Sequence, residues 1–141
     1  MRDFGQCEQV LRHPQIVRRE KSREFRILNP GRLPVRVIRI DGCVITRGPR
    51  CDWLFLASGD PTEIYVELKG SGIRRPVKQL EATIVAVSDH VHKAPKRCYI
   101  VTSRVPRVQT IEQIAGDRFR RHYSAKLKVF SKVGQHRLRR A

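Results

Sequence analysis

Within CDWLFLASGDPTEIYVELKG, residues 51–70, three ionisable side chains interrupt two apolar runs: Asp52, Glu67 and Lys69. Side chains alternate between the faces of a strand, so Ile64, Val66 and Leu68 share one side while Tyr65, Glu67 and Lys69 share the other. If the runs pair as a hairpin with Asp52 opposite Glu67, Trp53 meets Val66, Phe55 meets Ile64 and Cys51 meets Leu68. That register yields one fully apolar face and gathers the three charges on the other, with facing Cβ atoms roughly 5 Å apart. A slip of one residue would scatter the charges into the core. Two carboxylates held so close repel unless a cation shares them, and hard oxygen donors suit Mg²⁺ or Mn²⁺. Such an ion polarises a phosphoryl oxygen and lowers the pKa of an attacking water, and Lys69 would orient that water or stabilise developing negative charge. The competing reading is a solvated, salt-bridged face, which would leave Leu54, Leu56 and Tyr65 exposed.

The remaining sequence supplies the elements that must position these groups. Asp3 can cap a short helix bringing Phe4, Cys7, Glu8 and Leu11 together, ended by His13-Pro14. RREKSREFRIL is ambiguous between helix and strand, and Asn29-Pro30-Gly31 forces a turn after it. VRVIRI and CVI flank Asp41-Gly42, a strong signal for a tight hairpin. Between Pro76 and His92, Val77, Leu80, Ile84, Val87 and Val91 recur at helical spacing. RCYIVTS, residues 97–103, reads as a strand, 110–123 as a helix interrupted near Gly116, and 126–133 as a strand. This order predicts a single α/β domain, 1–141, with a mixed central sheet flanked by helices and a mobile basic tail at 134–141.

The 141 residues carry 30 Lys and Arg against 13 Asp and Glu, a formal net charge of +17 that calls for a polyanionic partner, nucleic acid and DNA foremost. With 40% hydrophobic residues the chain can still build a core, so disorder throughout is excluded. No apolar run has spanning length and MRDFGQCEQV lacks a secretory signal, so the expectation is no membrane and a cytoplasmic, nucleoid-associated location. Cys7, Cys43, Cys51 and Cys98 form no metal-binding pair and read as reduced, mostly buried thiols. Arg74, Arg75 and Lys78 follow Gly70-Ser71-Gly72 and could grip phosphates flanking a scissile bond. Arg118, Arg120, Arg121, Lys126 and Lys128, with Lys132, Arg137, Arg139 and Arg140, form a C-terminal basic region containing one acid, Asp117.

Asp52, fourteen intervening residues, then Glu67-Leu68-Lys69 at the end of an apolar strand, with Gln79 on the following helix, resembles the PD-(D/E)xK nuclease superfamily over roughly residues 35–103. Cys51 stands where that pattern places Pro. The resemblance implies a restriction endonuclease-like core. It also implies Mg²⁺ or Mn²⁺ held by Asp52, Glu67 and the Leu68 carbonyl, Lys69 acting on the nucleophile, and Gln79 lining the site. Many members add a Glu from an N-terminal helix; Glu8 is the first choice here, with Glu20 and Glu24 as competitors. The implied activity is metal-dependent hydrolysis of DNA phosphodiesters, and junction resolution by such an enzyme would require a homodimer. A nuclease-like fold that binds nucleic acid without cutting it is the alternative.

Overall fold

The computed structural model describes residues 1–68, 74–104 and 108–139. After a single 3-10 turn, Gly5–Cys7, come β1 (Glu8–Leu11), β2 (Gln15–Glu20), β3 (Arg23–Leu28), β4 (Val35–Arg39), β5 (Trp53–Ala57), β6 (Glu63–Glu67), α1 (Arg74–Val87), β7 (Lys96–Thr102), α2 (Val108–Tyr123), β8 (Ala125–Ser131) and β9 (Val133–Arg137). The mixed α/β class holds. A six-stranded sheet runs β1-β4-β5-β6-β7-β8, antiparallel as far as β6 and parallel from β6 to β8. The second sheet, β2-β3-β9, joins the β2–β3 hairpin to β9 in parallel.

Three layers follow from the apolar patterning. Leu80, Ile84 and Val87 of α1 and Phe119 and Tyr123 of α2 pack on Ile38, Leu54, Tyr65, Cys98 and Ile100 of the large sheet. Its other face carries Val37, Phe55, Ile64, Val66 and Val101, which pack against Ile16, Phe25 and Ile27 of the small sheet. The large sheet is therefore buried on both sides, and Leu54 and Tyr65, alternating with Phe55 and Ile64, are as inaccessible as they are. Each aliphatic side chain so enclosed contributes about 1.5–3 kcal/mol from surface removed from water.

Several expectations are corrected. The N-terminal helix is the one 3-10 turn followed by β1, because Glu8 to Leu11 find a strand partner in β4. The ambiguous RREKSREFRIL is the β2–β3 hairpin, with Lys21 at φ 53° in its turn. Asp41-Gly42 does not make a hairpin with CVI: the 40–45 segment coils on itself through Cys43 N–H to Ile40 O (3.2 Å) and Ile45 N–H to Ile40 O (3.0 Å), and β4 pairs with β5 instead. α2 continues through Gly116 without interruption. Cys7 and Cys43 are joined in a disulfide that ties the N-terminal segment to this coil, while Cys51 and Cys98 are the buried free thiols expected. Residues 134–138 are not a tail, since β9 is paired with β3 and Leu138 is buried. At Gly134 the small sheet passes so close to Phe130 that an added Cβ would come within 2.6 Å of the ring.

Opposite the end of the sheet that carries Glu67, buried polar groups are satisfied internally. Lys96 donates to the carbonyls of His90, Ala94 and Tyr123 at 2.6–3.0 Å, and the Glu63 carboxylate receives the Tyr65 and Ser88 hydroxyls. This network fixes the chain ends of both helices to the start of β7 and is structural.

Candidate active site

β5 and β6 pair in the register expected from their apolar pattern: Trp53 with Val66, Leu54 with Tyr65, Phe55 with Ile64. The Asp52 N–H bonds to Val66 O (3.1 Å), the residue already paired with Trp53, so the strand pair bulges at Asp52 and the simple register that would set it directly opposite Glu67 stops at Trp53. Asp52 is buried and Glu67 fully so. The chain bends at Asp52, and the Asp52 Oδ2 atom accepts the Leu68 backbone N–H at 2.7 Å across the pair. The same bend turns Cys51 into the helix-side core rather than toward Leu68, a departure from the simple strand alternation. There its N–H donates to Thr83 Oγ1 at 2.8 Å.

Thr83 connects this bend to α1. Its hydroxyl donates to the Gln79 carbonyl at 2.8 Å, so Gln79 lies one helical turn before the residue that docks on Cys51. α1 thus presents Gln79 on the turn next to the Asp52 bend. Burial holds the Cys51 thiol far above its usual pKa, and the Glu67 and Asp52 charges push it the same way, so this cysteine is not a nucleophile.

A cleft of about 260 Å³ opens at this end of the sandwich, lined by Asp52, Trp53 and Leu68, by Arg19 and Glu20 of β2, by Arg39 of β4 and by Asp41. Beside it the Arg18 guanidinium lies over the Trp53 ring, 4.7 Å from its centroid, an arrangement that orients the indole at the cleft edge. Arg50 Nε donates to Asp41 Oδ1 at 2.7 Å.

The other expected residues divide. Glu8 is on β1, two strands and about 10 Å laterally from β5. Its carboxylate takes two bonds from Arg36 (2.7 and 2.8 Å) and one from the Phe4 N–H, which hold its pKa below the usual range. Glu24 is engaged by Arg19 and Arg26. Glu20 is therefore the one of the three acids that shares the cleft with Asp52, which the sequence could not show because β2 was not legible as a strand. Lys69 lies outside the described residues, as does the side chain of Arg74. Arg75 and Lys78 are exposed on α1, and Arg118, Arg120 and Arg121 on α2. Arg118 pairs with Glu81 of α1 at 2.8 Å, and Arg120 and Arg121 both pair with Asp117. Lys126 and Lys128 are exposed on β8.

Among the described residues no group of three or more His, Cys, Asp or Glu is placed to hold a metal ion. The donors at the strand end, two carboxylates and a backbone carbonyl, are nevertheless hard oxygens of the type a Mg²⁺ or Mn²⁺ ion takes, and they fit in chemistry. No described helix is long and apolar enough to cross a membrane. No protein family, curated protein or solved structure matches the chain.

Proposed function

We propose that the chain is a metal-dependent nuclease hydrolysing phosphodiester bonds, with DNA as its substrate. The observation that carries this reading is the buried Asp52 carboxylate, which lines a cleft and is bonded to the backbone N–H of Leu68, the residue that follows the buried Glu67, in a protein of net charge +17. A restriction endonuclease-like core belongs to the same proposal, supported by the succession of β5 with Asp52 at its start, β6 ending in Glu67, and α1 bearing Gln79.

Asp52, Glu67 and the Leu68 carbonyl would hold Mg²⁺ or Mn²⁺, which when bound supplies electrophilic activation of the phosphoryl group. The Leu68 N–H fixes the Asp52 Oδ2 atom at 2.7 Å. Thr83 holds the backbone that carries Asp52, and Gln79 stands beside it on α1. Lys69, next in the chain after Leu68, orients the attacking water or stabilises the negative charge that develops. Arg75, Lys78, Arg118, Arg120 and Arg121 are exposed cations of the helix layer that would attract the polyanion. A cytoplasmic, nucleoid-associated location is part of this reading; the Cys7–Cys43 disulfide, of a kind rare in that compartment, weighs against it.

The second reading, a nucleic-acid-binding module without catalysis, is favoured by the complete burial of Glu67 and by the structural bond that Asp52 already makes to Leu68. Calorimetric titration with Mn²⁺ separates the two. The nuclease reading expects binding that is lost in Asp52→Asn and Glu67→Gln; equal titration curves for all three proteins would sink it.

A further inference from the structure

At the end of the sandwich remote from Glu67, a second cavity of about 600 Å³ lies between the sheets, lined by Arg97 and Tyr99 of β7, His136 and Arg137 of β9, Arg139, and a single acid, Asp60. Arg97 pairs with Ile64 in the β6–β7 register, three residues and about 10 Å along the strand from Glu67. Tyr99 belongs to the small-sheet core, so Arg97, two residues before it, points to the same side. In the β7–β8 register Arg97 faces Lys126 and Tyr99 faces Lys128. These lysines alternate with Ala125, Leu127 and Val129, which pack on the helix side, and so continue the face of Arg97 and Tyr99 across to the sheet edge.

Arg97, Lys126 and Lys128 thus share one face, and Arg137 and Arg139, which alternate with the inward His136 and Leu138, flank the same cavity from the other face of the small sheet. Among the described residues none of Arg97, Lys126, Lys128, Arg137 and Arg139 is in a salt bridge. This sets them apart from Arg118, Arg120 and Arg121 of α2, whose guanidinium groups are engaged by Glu81 and Asp117. At the centre the Tyr99 hydroxyl and His136 Nδ1 are 2.5 Å apart. Burial, followed by the Arg97 charge, lowers the His136 pKa against the opposing pull of Asp60, and burial raises that of Tyr99 to about 12. The pair is thus uncharged at neutral pH. In the tautomer in which Nδ1 accepts from Tyr99, the imidazole proton is on Nε2, a donor of the kind that binds an anionic oxygen.

We propose that this surface is a second nucleic-acid-binding site, at which Arg97, Arg137 and Arg139 grip backbone phosphates and Lys126 and Lys128 extend the track along β8. Guanidinium forks without acid partners match phosphate oxygens, and a neutral Tyr–His pair adds hydrogen bonding without charge. The contacts are to the sugar-phosphate backbone and carry no base readout. The inference rests on the nucleic-acid part of the proposed function and is independent of cleavage.

The test is fluorescence anisotropy with labelled single-stranded and duplex DNA across a salt series, with Mg²⁺-dependent cleavage read in parallel. Arg137→Glu/Arg139→Glu, at exposed positions, and Arg97→Gln are compared with wild type and with Arg12→Glu/Arg47→Glu. The last pair makes the same charge change at exposed sites outside this surface. We expect the Arg137/Arg139 variant to bind at least tenfold more weakly, with a log-log salt slope shallower by about two, and the Arg12/Arg47 variant to bind much closer to wild type. Equal losses in both charge-reversed proteins, or no loss in either, would overturn the inference and leave the nuclease reading standing. Loss confined to the β9 variants in a protein that never cuts would support the site while refuting the nuclease. A wild type that binds no nucleic acid refutes both.

Discussion

The Asp52 carboxylate accepts the Leu68 backbone N–H at 2.7 Å, so one oxygen of a candidate metal ligand also closes the end of the β5–β6 pair. Structure and chemistry meet in one side chain, and two substitutions separate them. Asp52→Asn keeps an acceptor of the same shape and should fold with little loss, whereas Asp52→Ala leaves the buried N–H unsatisfied at about 1–3 kcal/mol. Urea denaturation reads the difference; equal stability of the two variants would show that the bond contributes nothing.

Thr83 joins α1 to the bend before Asp52 by accepting from Cys51 and donating to Gln79. Thr83→Val preserves the shape and removes both bonds, with the Cys51 N–H left buried. A loss of about 1–3 kcal/mol in urea is expected, with a drop in turnover on the nuclease reading as Asp52 loses its support. Wild-type stability in this variant would show that packing alone holds the bend.

Glu8 has a folded-state pKa below its ordinary value, chiefly through the Arg36 hydrogen bonds. A carboxylate depressed on folding stabilises the protein above its unfolded pKa, near 4.5, and loses that contribution as pH falls through the lower folded value. Glu8→Gln should therefore be less stable than wild type at pH 7, and the gap should narrow as pH falls from 4.5 through the lower folded value. A gap that is constant from pH 7 to pH 3 would contradict the role assigned to the Arg36 pair.

Cys7 and Cys43, 36 positions apart, close a loop around β1 to β4. Removing the bond in a Cys7→Ser/Cys43→Ser protein should cost about 4 kcal/mol on the chain-entropy account. Thermal melts with and without reductant should give the same shift in wild type and none in the double variant.

What the sequence revealed depended on whether local pattern or distant pairing set the structure. The alternation of Trp53, Phe55, Ile64 and Val66 specified its own register because a slip would bury charge, and the 3.6-residue recurrence of Leu80, Ile84 and Val87 specified α1. Where the partner was remote, local signals misled. Glu8 to Leu11 became a strand because β4 offers a free edge, and Asp41-Gly42 lost its hairpin because β4 takes the distant β5 as its partner. Residues 134–137 looked like a basic tail because the parallel pairing with β3 leaves no local signature. The candidate pair Asp52 and Glu67 is read from the β5 and β6 segments alone, but Glu20 and His136 belong to a second sheet whose existence no short-range pattern announced, and only that sheet brings His136 to β7.

The most direct measurement is cleavage of labelled single-stranded, duplex, flap and four-way-junction DNA with Mg²⁺ or Mn²⁺, comparing wild type with Glu67→Gln and Lys69→Ala. The account predicts metal-dependent cutting by wild type, abolished by chelator and reduced at least a hundredfold in both variants while DNA affinity is retained. Tight binding with no cutting of any substrate, or cutting that survives both substitutions, would contradict it.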